Sequence, residues 1–269
     1  MSEDLNIKQL IEWYITAGVD ETIGDTPFAL SAEEKNTITV QPKPSVHSSI
    51  SDRPVISALA QATIDAGNNA RELCKSINNL DELKSLVENF DGCSLKFTAA
   101  NTVFGDGCPQ AKIIFIGEAP GADEDRIGKP FVGRSGQLLD KMMQTIGLDR
   151  NNSYITNILP WRPPGNRTPT DGEIAVCLPF LKRQIDIIQP DYLFIMGGAA
   201  ANALLEQQDS ISRLRGHWLE YKTSTGKKIQ VLASFHPAYL LRNPGQKSKA
   251  WADLLRLSKK IHEETTVSE

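Results

Sequence analysis

Hydrophobic residues in the second half of the chain form short, nearly continuous runs that are separated by segments of helical periodicity. The runs cover residues 112–117, 153–159, 191–198 and 228–235 and are mostly β-branched or aromatic. The helical segments cover residues 136–148, 170–190, 198–207 and about 246–262. Strands that alternate with helices and are apolar at almost every position are typical of a parallel sheet covered on both faces. The pattern therefore predicts an α/β fold of three layers, α/β/α, with a short, mainly parallel central sheet.

The first part of the chain has a different pattern. Apolar residues at helical spacing between Ile7 and Ile15 predict an amphipathic helix within an N-terminal segment, residues 1–30. Residues 31–56 are polar and rich in Ser, Pro and Thr, which is typical of a flexible linker. Residues 57–90 have helical spacing and lead into the α/β domain, which we expect to cover residues 91–262.

Composition narrows the class of protein. The chain has 269 residues, of which 40% are hydrophobic and 23% charged, as in ordinary soluble globular proteins. No apolar run is long enough for a membrane helix, and the acidic N-terminus lacks the order of a secretory signal. The cysteines Cys74, Cys93, Cys108 and Cys177 have no disulfide-like spacing, which favours a reducing cytoplasm. We therefore expect a cytoplasmic protein with no membrane association.

Charge is distributed unevenly along the chain. Residues 1–125 carry 9 basic and 20 acidic side chains, a balance of -11, whereas residues 126–260 carry 20 basic and 10 acidic side chains, a balance of +10. A half-molecule with this positive balance can attract a polyanion although the whole chain has a net charge of -4. A mixed, solvated surface explains the same numbers, so charge alone does not identify the partner.

Residues capable of chemistry follow the predicted strands. Ligands of such sheets bind beyond the carboxyl ends of the strands. Gly117 and Glu118 follow the first strand, Asn157 the second, and His236 the fourth. The turn after the first strand is rich in glycine but matches neither the dinucleotide nor the phosphate-loop pattern. Its four carboxylates between residues 118 and 125 also fit a divalent cation, although no His or Asp pair elsewhere has ligand spacing.

Each of these residues also has a purely structural interpretation. Phe131 fits a core position. Asn157 fits a local cap at the end of a strand, and a lone histidine such as His236 is usually structural. The loop of residues 161–169, WRPPGNRTP, is rigid and basic, and it lies at the same predicted edge of the sheet. The convergence of these segments on one edge favours a binding site.

Three long motifs resemble those of family 4 uracil-DNA glycosylases, in the same order and with the same spacing. They are GEAPGADEDRIGKPFVGRSGQLLD at residues 117–140, YITNILPWRPPGNRTP at 154–169 and FHPAYLLRNP at 235–244. The resemblance covers about residues 88–258. It implies a fold of the uracil-DNA glycosylase type, and it implies that residues 91–262 form a catalytic domain.

The resemblance implies a set of site residues. It assigns catalytic roles to Glu118 and His236, substrate binding to Gly117, Ala119, Glu124, Phe131 and Asn157, and DNA binding to Arg162, Asn166, Arg167, Leu240, Leu241 and Arg242. In the family pattern uracil stacks on the residue at Phe131, and Asn157 reads its N3–H and O4. His236 faces O2, where negative charge grows as the glycosidic bond breaks.

The remaining matched positions have roles around the sugar and the DNA. Glu118 matches the acidic residue near the sugar, which orients water or stabilises an oxocarbenium-like centre, and Glu124 matches a second carboxylate of the pocket. Leu240 and Leu241 match the wedge that replaces the extruded base, with Arg242 beside the phosphates.

One part of the family pattern is broken. Family 4 enzymes usually hold a 4Fe–4S cluster with four cysteines. Cys93 and Cys177 match two of the four ligand positions, whereas Phe90 and Trp161 occupy the other two. Two thiolates cannot replace four, and neither Cys74 nor Cys108 lies at a family position. We therefore expect no cofactor and no bound metal.

These features predict a DNA repair enzyme. The main hypothesis is a monofunctional uracil-DNA glycosylase, a hydrolase of N-glycosyl bonds that leaves an abasic site for base excision repair. Its partner is uracil-containing DNA, and we expect a monomer in the cytoplasm, associated with the nucleoid. A non-catalytic uracil- or single-strand-binding protein and a metal-dependent nucleotide hydrolase remain as alternatives. The sequence does not identify a partner for the N-terminal helix.

Overall fold

The computed structural model of the protein describes residues 53–266, with side chains for residues 60–263. These residues belong to a compact unit that spans residues 51–269. The predicted N-terminal helix within residues 1–30, and the predicted linker up to residue 52, lie outside the described residues. The first described helix begins at Arg53, earlier than the predicted boundary at residue 57.

The described part of the chain alternates between helices and strands as the sequence predicts. The helices are α1 (Arg53–Lys75), α2 (Leu80–Asn89), α3 (Ala122–Ile127), α4 (Arg134–Gln144), α5 (Asp171–Ile188), α6 (Gly198–Leu205), α7 (Ile211–Leu214), α8 (Pro237–Arg242) and α9 (Lys247–Thr266). The strands are β1 (Asp106–Gly107), β2 (Ile113–Gly117), β3 (Tyr154–Asn157), β4 (Tyr192–Met196), β5 (Trp218–Lys222) and β6 (Lys228–Ser234). Short 3₁₀ turns lie at Ser94–Phe97, Pro164–Asn166 and Pro244–Gln246.

The strands form one sheet in the order β1-β3-β2-β4-β6-β5. The four central strands are parallel, and they are the four that the sequence predicts. Gly117 pairs with Asn157, and Met196 pairs with Ser234, so these strands end at a common edge. The edge strands β1 and β5 run antiparallel and were not predicted, because β1 has two residues and β5 is only partly buried.

Hydrophobic side chains alternate between the two faces of the sheet. Ile114 and Ile116 of β2 belong to a core that also contains buried residues of α1, α2 and α5. Ile113 and Phe115 of the same strand belong to the opposite core, which contains buried residues of α4 and α9. Successive side chains of a strand point to opposite faces, so a strand that is apolar throughout must be covered twice. This arrangement confirms the three-layer α/β/α fold.

Helix α5 begins directly after the basic loop of residues 161–169. Thr170 accepts a hydrogen bond from the Glu173 backbone N–H, and the Glu173 carboxylate accepts one from the Thr170 N–H. This capping box fixes the start of the helix and hence the end of the loop. Among the described residues, no helix is both long enough and apolar enough to span a bilayer.

Candidate active site

A cavity of about 360 Å³ lies beyond the carboxyl ends of the parallel strands. The residues of the sequence prediction that line it are Glu118, Ala119, Glu124, Phe131, Asn157, Asn166, Arg167, His236 and Arg242. The sequence analysis did not identify Ser135 and Tyr239, which also line the cavity. The first, second and fourth of the predicted parallel strands therefore deliver side chains to one site.

Gly117 lies beneath the cavity and makes room for two of its residues. A Cβ at this position would overlap the Asn157 Oδ1 and would lie 2.6 Å from the Phe131 ring. The last residue of β2 must therefore be glycine for the amide of β3 and the aromatic ring to approach each other.

Phe131 has an unusual backbone for a residue that is not glycine. Its φ is 55°, in the left-handed region, and its side chain is buried. Its ring stacks on that of His236, with a centroid separation of 5.5 Å and an interplanar angle of 30°. A left-handed backbone costs a bulky residue about 1–3 kcal/mol, so the surrounding structure must hold it there.

Arg150 provides that restraint, and the sequence analysis missed it. Its Nη2 donates to the Phe131 carbonyl oxygen at 2.6 Å, and its Nη1 donates to the Pro130 carbonyl oxygen at 3.1 Å. Its guanidinium also binds Asp106 at 2.8 Å and Asp140 at 3.0 Å. The only sequence signal is an arginine in the turn before β3, because its carboxylate partners are distant along the chain.

The acidic turn after β2 has a mostly structural role. Glu124 is buried, and its Oε1 accepts hydrogen bonds from the backbone N–H groups of Val132 and Gly133 at 3.0 and 2.9 Å. Its Oε2 accepts one from the Gly121 N–H at 3.2 Å. Glu124 therefore ties the turn to the segment that carries Phe131, and both of its oxygens are occupied.

The other carboxylates of the turn divide between structure and cavity. Asp125 accepts hydrogen bonds from the backbone N–H groups of Ala100 and Asn101 and does not line the cavity. Asp123 pairs with Arg126 at the surface. Glu118 lines the cavity, and burial raises the pKa of its carboxyl above the ordinary value. Among the described residues, no group of three or more His, Cys, Asp or Glu side chains is placed to hold a metal ion.

Asn157 ends β3 with its side chain in the cavity. It is 5% exposed, and its Oδ1 is buried without a hydrogen-bond partner. A buried amide oxygen without a partner costs about 1–3 kcal/mol. A residue that only capped the strand would bond this oxygen to a nearby N–H. The Asn157 amide is instead free to bind a ligand with complementary donors and acceptors.

His236 is held in one tautomer. It precedes α8, and its Nδ1 accepts a hydrogen bond from the Ala238 N–H at 3.1 Å. The proton of the neutral ring is therefore on Nε2, which can donate to a ligand. Burial, together with the positive charge of Arg242, lowers the pKa of His236 to about 4. The ring is consequently neutral at physiological pH.

The basic loop presents less unpaired positive charge to the cavity than its sequence suggests. Arg167 lines the cavity but makes a bidentate pair with Glu173, at 2.9 and 2.6 Å. Arg162 donates to the Asn166 Oδ1 at 2.7 Å and does not line the cavity. Arg242 lines the cavity and makes no salt bridge with any described residue.

Comparison with known proteins matches the same region of the chain. The model of the uracil DNA glycosylase superfamily matches residues 104–255. The chain belongs to this superfamily. It is 39% identical to a type-4 uracil-DNA glycosylase of Archaeoglobus fulgidus over 185 residues, which are 67% of this chain and 92% of that protein.

Two further relatives in the superfamily carry the same description. The type-4 uracil-DNA glycosylase of Thermotoga maritima is 42% identical over 158 residues, 58% of this chain and 80% of that protein. The one of Sulfurisphaera tokodaii is 40% identical over 173 residues, 62% of this chain and 78% of that protein. These matches confirm the resemblance to family 4.

The two leucines expected to form the wedge, Leu240 and Leu241, differ in their exposure to solvent. Leu240 is 1% exposed and packs in the core between α4 and α9. Of the two leucines predicted to form the wedge, it is therefore the one that the structure does not place at the surface. Its neighbour Leu241 is 37% exposed and can act as a wedge. Helix α8 explains the difference, because successive residues of a helix point about 100° apart.

The four positions that hold the cluster in family 4 form part of the core in this member of the superfamily. Phe90 packs edge-to-face against Phe180, with centroids 5.0 Å apart. Trp161 is buried and donates through Nε1 to Thr102 at 3.0 Å. The two matching thiols, Cys93 and Cys177, are buried with their sulfurs 3.7 Å apart. Aromatic side chains occupy two ligand positions, so these residues do not fit a four-thiolate cluster.

Proposed function

We propose that the protein is a uracil-DNA glycosylase that hydrolyses the N-glycosidic bond of uracil in DNA and leaves an abasic site for base excision repair. The observation that carries this proposal is the unpartnered Asn157 amide oxygen beside the Phe131 ring and the neutral His236. The relatives named type-4 uracil-DNA glycosylase support it. A cavity of this kind suits a base that has been rotated out of the DNA helix.

Base recognition would rest on Asn157. Uracil offers N3–H as a donor and O4 as an acceptor, and one amide matches both groups with its own oxygen and NH2. Binding of uracil would therefore supply the hydrogen bond that Asn157 Oδ1 lacks in the free protein. Phe131 would provide the apolar face on which the base lies, in an orientation that Arg150 maintains.

Bond cleavage would rest on His236 and Glu118. As the bond between N1 and the sugar C1′ breaks, its electron pair moves into the uracil ring and negative charge grows on O2. The His236 Nε2–H would donate to O2 without adding a charge to the enzyme. Glu118, whose pKa burial raises, would stabilise the cationic sugar and accept a proton from the water that adds to C1′.

Several further features belong to this proposal. The enzyme would be monofunctional, because it would release uracil without forming a covalent adduct between a lysine and the sugar. Arg242 would bind a phosphate beside the extruded nucleotide, and Leu241 would fill the gap that this nucleotide leaves.

We propose that the chain works without an iron–sulfur cluster and as a monomer. The free thiols favour the reducing cytoplasm, where the enzyme would act on the nucleoid.

Release of free uracil from a uracil-containing oligonucleotide tests the proposal. We expect a stoichiometric abasic product, in the presence of EDTA as well as in its absence. Binding of the oligonucleotide without release of uracil would make the protein a non-catalytic binding protein. Loss of activity with EDTA, restored by a divalent cation, would favour the metal-dependent nucleotide hydrolase.

A further inference from the structure

A charged surface continues from the cavity along α8 and α9. Arg242, the last residue of α8, lines the cavity, and the turn Pro244–Gln246 leads from it directly into α9. Leu241, beside Arg242, is exposed. The first turns of α9 therefore lie next to the mouth of the cavity.

The part of this surface next to the cavity exposes positive charge, and residues 236–252 contain no acidic side chain. Between residues 236 and 262 the cations are Arg242, Lys247, Lys249, Arg256, Lys259 and Lys260, and Asp253 is the one carboxylate. Asp253 is fully buried and pairs with Arg215. Arg242 and Lys247 make no salt bridge with any described residue. The surface beside the cavity is therefore suited to a polyanion.

Exposed apolar residues follow the cations on the same face of α9. Trp251 and Leu255 are 42% and 47% exposed, and Lys247 precedes Trp251 by one turn. Residues four apart on a helix lie on one face, about 6 Å from one another along the axis. Lys247, Trp251 and Leu255 therefore form a stripe that leads away from the cavity.

We propose that the surface formed by Leu241, Arg242, Lys247, Trp251 and Leu255, here termed the α9 track, binds the uracil-bearing strand as a single strand. An unpaired base beyond the nucleotides that directly flank the uracil stacks on Trp251, and Arg242 and Lys247 bind phosphates. Cationic grooves with exposed aromatic side chains bind single strands in this way, because every base has a flat face to stack. This proposal rests on the proposed function and adds a preference for unpaired DNA.

Charge favours DNA over a second copy of the chain as the occupant. A two-fold symmetric dimer brings the same patch of both copies together, and because the patch contains no acidic side chain, Arg242 and Lys247 would find no anionic partner in it. A duplex also fits less well, since its bases are paired and cannot stack on Trp251. A single strand satisfies both the cations and the indole.

The test compares two single-stranded substrates at subsaturating concentration. One is a trinucleotide with a central deoxyuridine, and the other has ten unpaired nucleotides on each side of it. The variants are Trp251→Ala and Lys247→Ala. The control variants are Ile64→Ala, an exposed apolar residue of α1, and Lys222→Ala, an exposed lysine at the opposite end of the sheet.

We expect Trp251→Ala to lower kcat/KM on the long strand by about 10-fold and Lys247→Ala to lower it by about 3-fold, with the trinucleotide rate unchanged. The loss should be smaller when the long strand is paired with its complement. Both control variants should match the wild type. Equal losses on both substrates, no loss on either, or a dimer that Trp251→Ala dissociates would each overturn the proposal.

A binding measurement separates this proposal from the function on which it rests. Wild-type protein should bind a uracil-free single strand, and Trp251→Ala should weaken this binding by about 10-fold. If the wild type bound this strand but released no uracil from any substrate, the glycosylase proposal would fail while the α9 track stood. Unchanged binding by Trp251→Ala, with normal uracil release, would overturn the track alone.

Discussion

Phe131 keeps its left-handed backbone because Arg150 holds its carbonyl group from outside the cavity. We expect Arg150→Met to lower kcat/KM for uracil release by about 10–100-fold in the folded protein, because the ring would lose its orientation. Lys129→Met is the matched control, since Lys129 also binds Asp106 but makes no bond to the Phe131 carbonyl. Single-turnover rates on both variants, with folding checked by circular dichroism, measure the difference. Equal rates for the two variants would show that the bond from Arg150 to the Phe131 carbonyl does not affect uracil release.

His236 is neutral because burial and Arg242 lower its pKa to about 4. We expect His236→Ala to release uracil about 10²–10³-fold more slowly than the wild type, the usual effect of removing one donor to a developing anion. The ratio of the two rates should stay constant between pH 8 and pH 5, because the folded ring gains no proton in that range. A ratio that changed near pH 6.5 would show that the charged imidazolium takes part.

The same pKa has a consequence for stability. The unfolded chain protonates His236 near pH 6.5, whereas the folded protein does so only near pH 4. The unfolded state therefore binds more protons in this window, and the folded state loses stability as the pH falls from 6.5 to 4. Relative to His236→Gln, the wild type should lose about 1–3 kcal/mol of unfolding free energy across the window. Urea titrations of both proteins at pH 7.5 and pH 4.5 measure this loss.

Asn157 should determine the choice between uracil and cytosine. Cytosine offers N3 as an acceptor and its 4-amino group as a donor, so it would leave both halves of a fixed amide unpaired, at about 1–3 kcal/mol each. We expect Asn157→Asp to release uracil poorly, because an ionised carboxylate repels O4, and to reduce the preference for uracil. Single-turnover rates on both bases check this. If Asn157→Asp and Asn157→Ala lowered stability but left the preference unchanged, Asn157 would only cap the strand.

At the scale of elements, the described residues around the cavity belong to α3, α4, α8, the last residue of β3, or the loops that follow β2, α3, β3 and β6. Removal of residues 1–52 leaves each of these elements and α1 intact. We therefore expect the truncated protein, residues 53–269, to release uracil from the trinucleotide at close to the wild-type rate. A folded truncation that had lost most of this activity would show that residues 1–52 contribute to the site.

Helix α1 should be necessary for folding, in contrast to the residues before it. Its buried residues, among them Ala70 and Cys74, belong to the core that covers one face of the sheet. Removal of residues 1–79, which include α1, would expose that core to water. The folded state would lose roughly 25 cal/mol of stability for each Å² of apolar surface exposed. We expect the protein that lacks residues 1–79 to unfold at a lower temperature than the protein that lacks residues 1–52. Thermal unfolding of both truncated proteins measures the difference.

At the scale of the whole molecule, buried aromatic side chains stand at two of the four positions that hold the cluster in family 4. Phe90 and Trp161 fill two ligand positions, and the neighbouring thiol and burial raise the pKa of Cys177 well above its ordinary value. A thiol of this kind resists the deprotonation that iron binding requires. We expect anaerobically purified protein to be colourless and to contain less than one iron per chain. About four irons per chain, with thiolate-to-iron absorbance, would contradict this expectation.

The sequence determined the layers of the fold and the edge that carries the site. Runs such as residues 113–117 are apolar at every position, and only a strand covered on both faces uses such a run fully. The carboxyl ends of parallel strands meet at one edge, so the sequence alone places Glu118, Asn157 and His236 together. Local patterns were sufficient because each of these inferences depends on neighbouring residues alone.

Only the tertiary structure decided how the individual side chains are used. Glu124 and Asp125 are simply two carboxylates of an acidic turn in the sequence, whereas in the structure each binds backbone N–H groups of a segment that folds against it. Leu240 and Leu241 are adjacent residues of the same type, so the sequence does not distinguish them. The helical geometry of α8 buries Leu240 and exposes Leu241. Arg150 reaches Phe131 across nineteen residues of chain. These roles depend on contacts between distant segments, and such contacts have no local pattern from which they could be predicted.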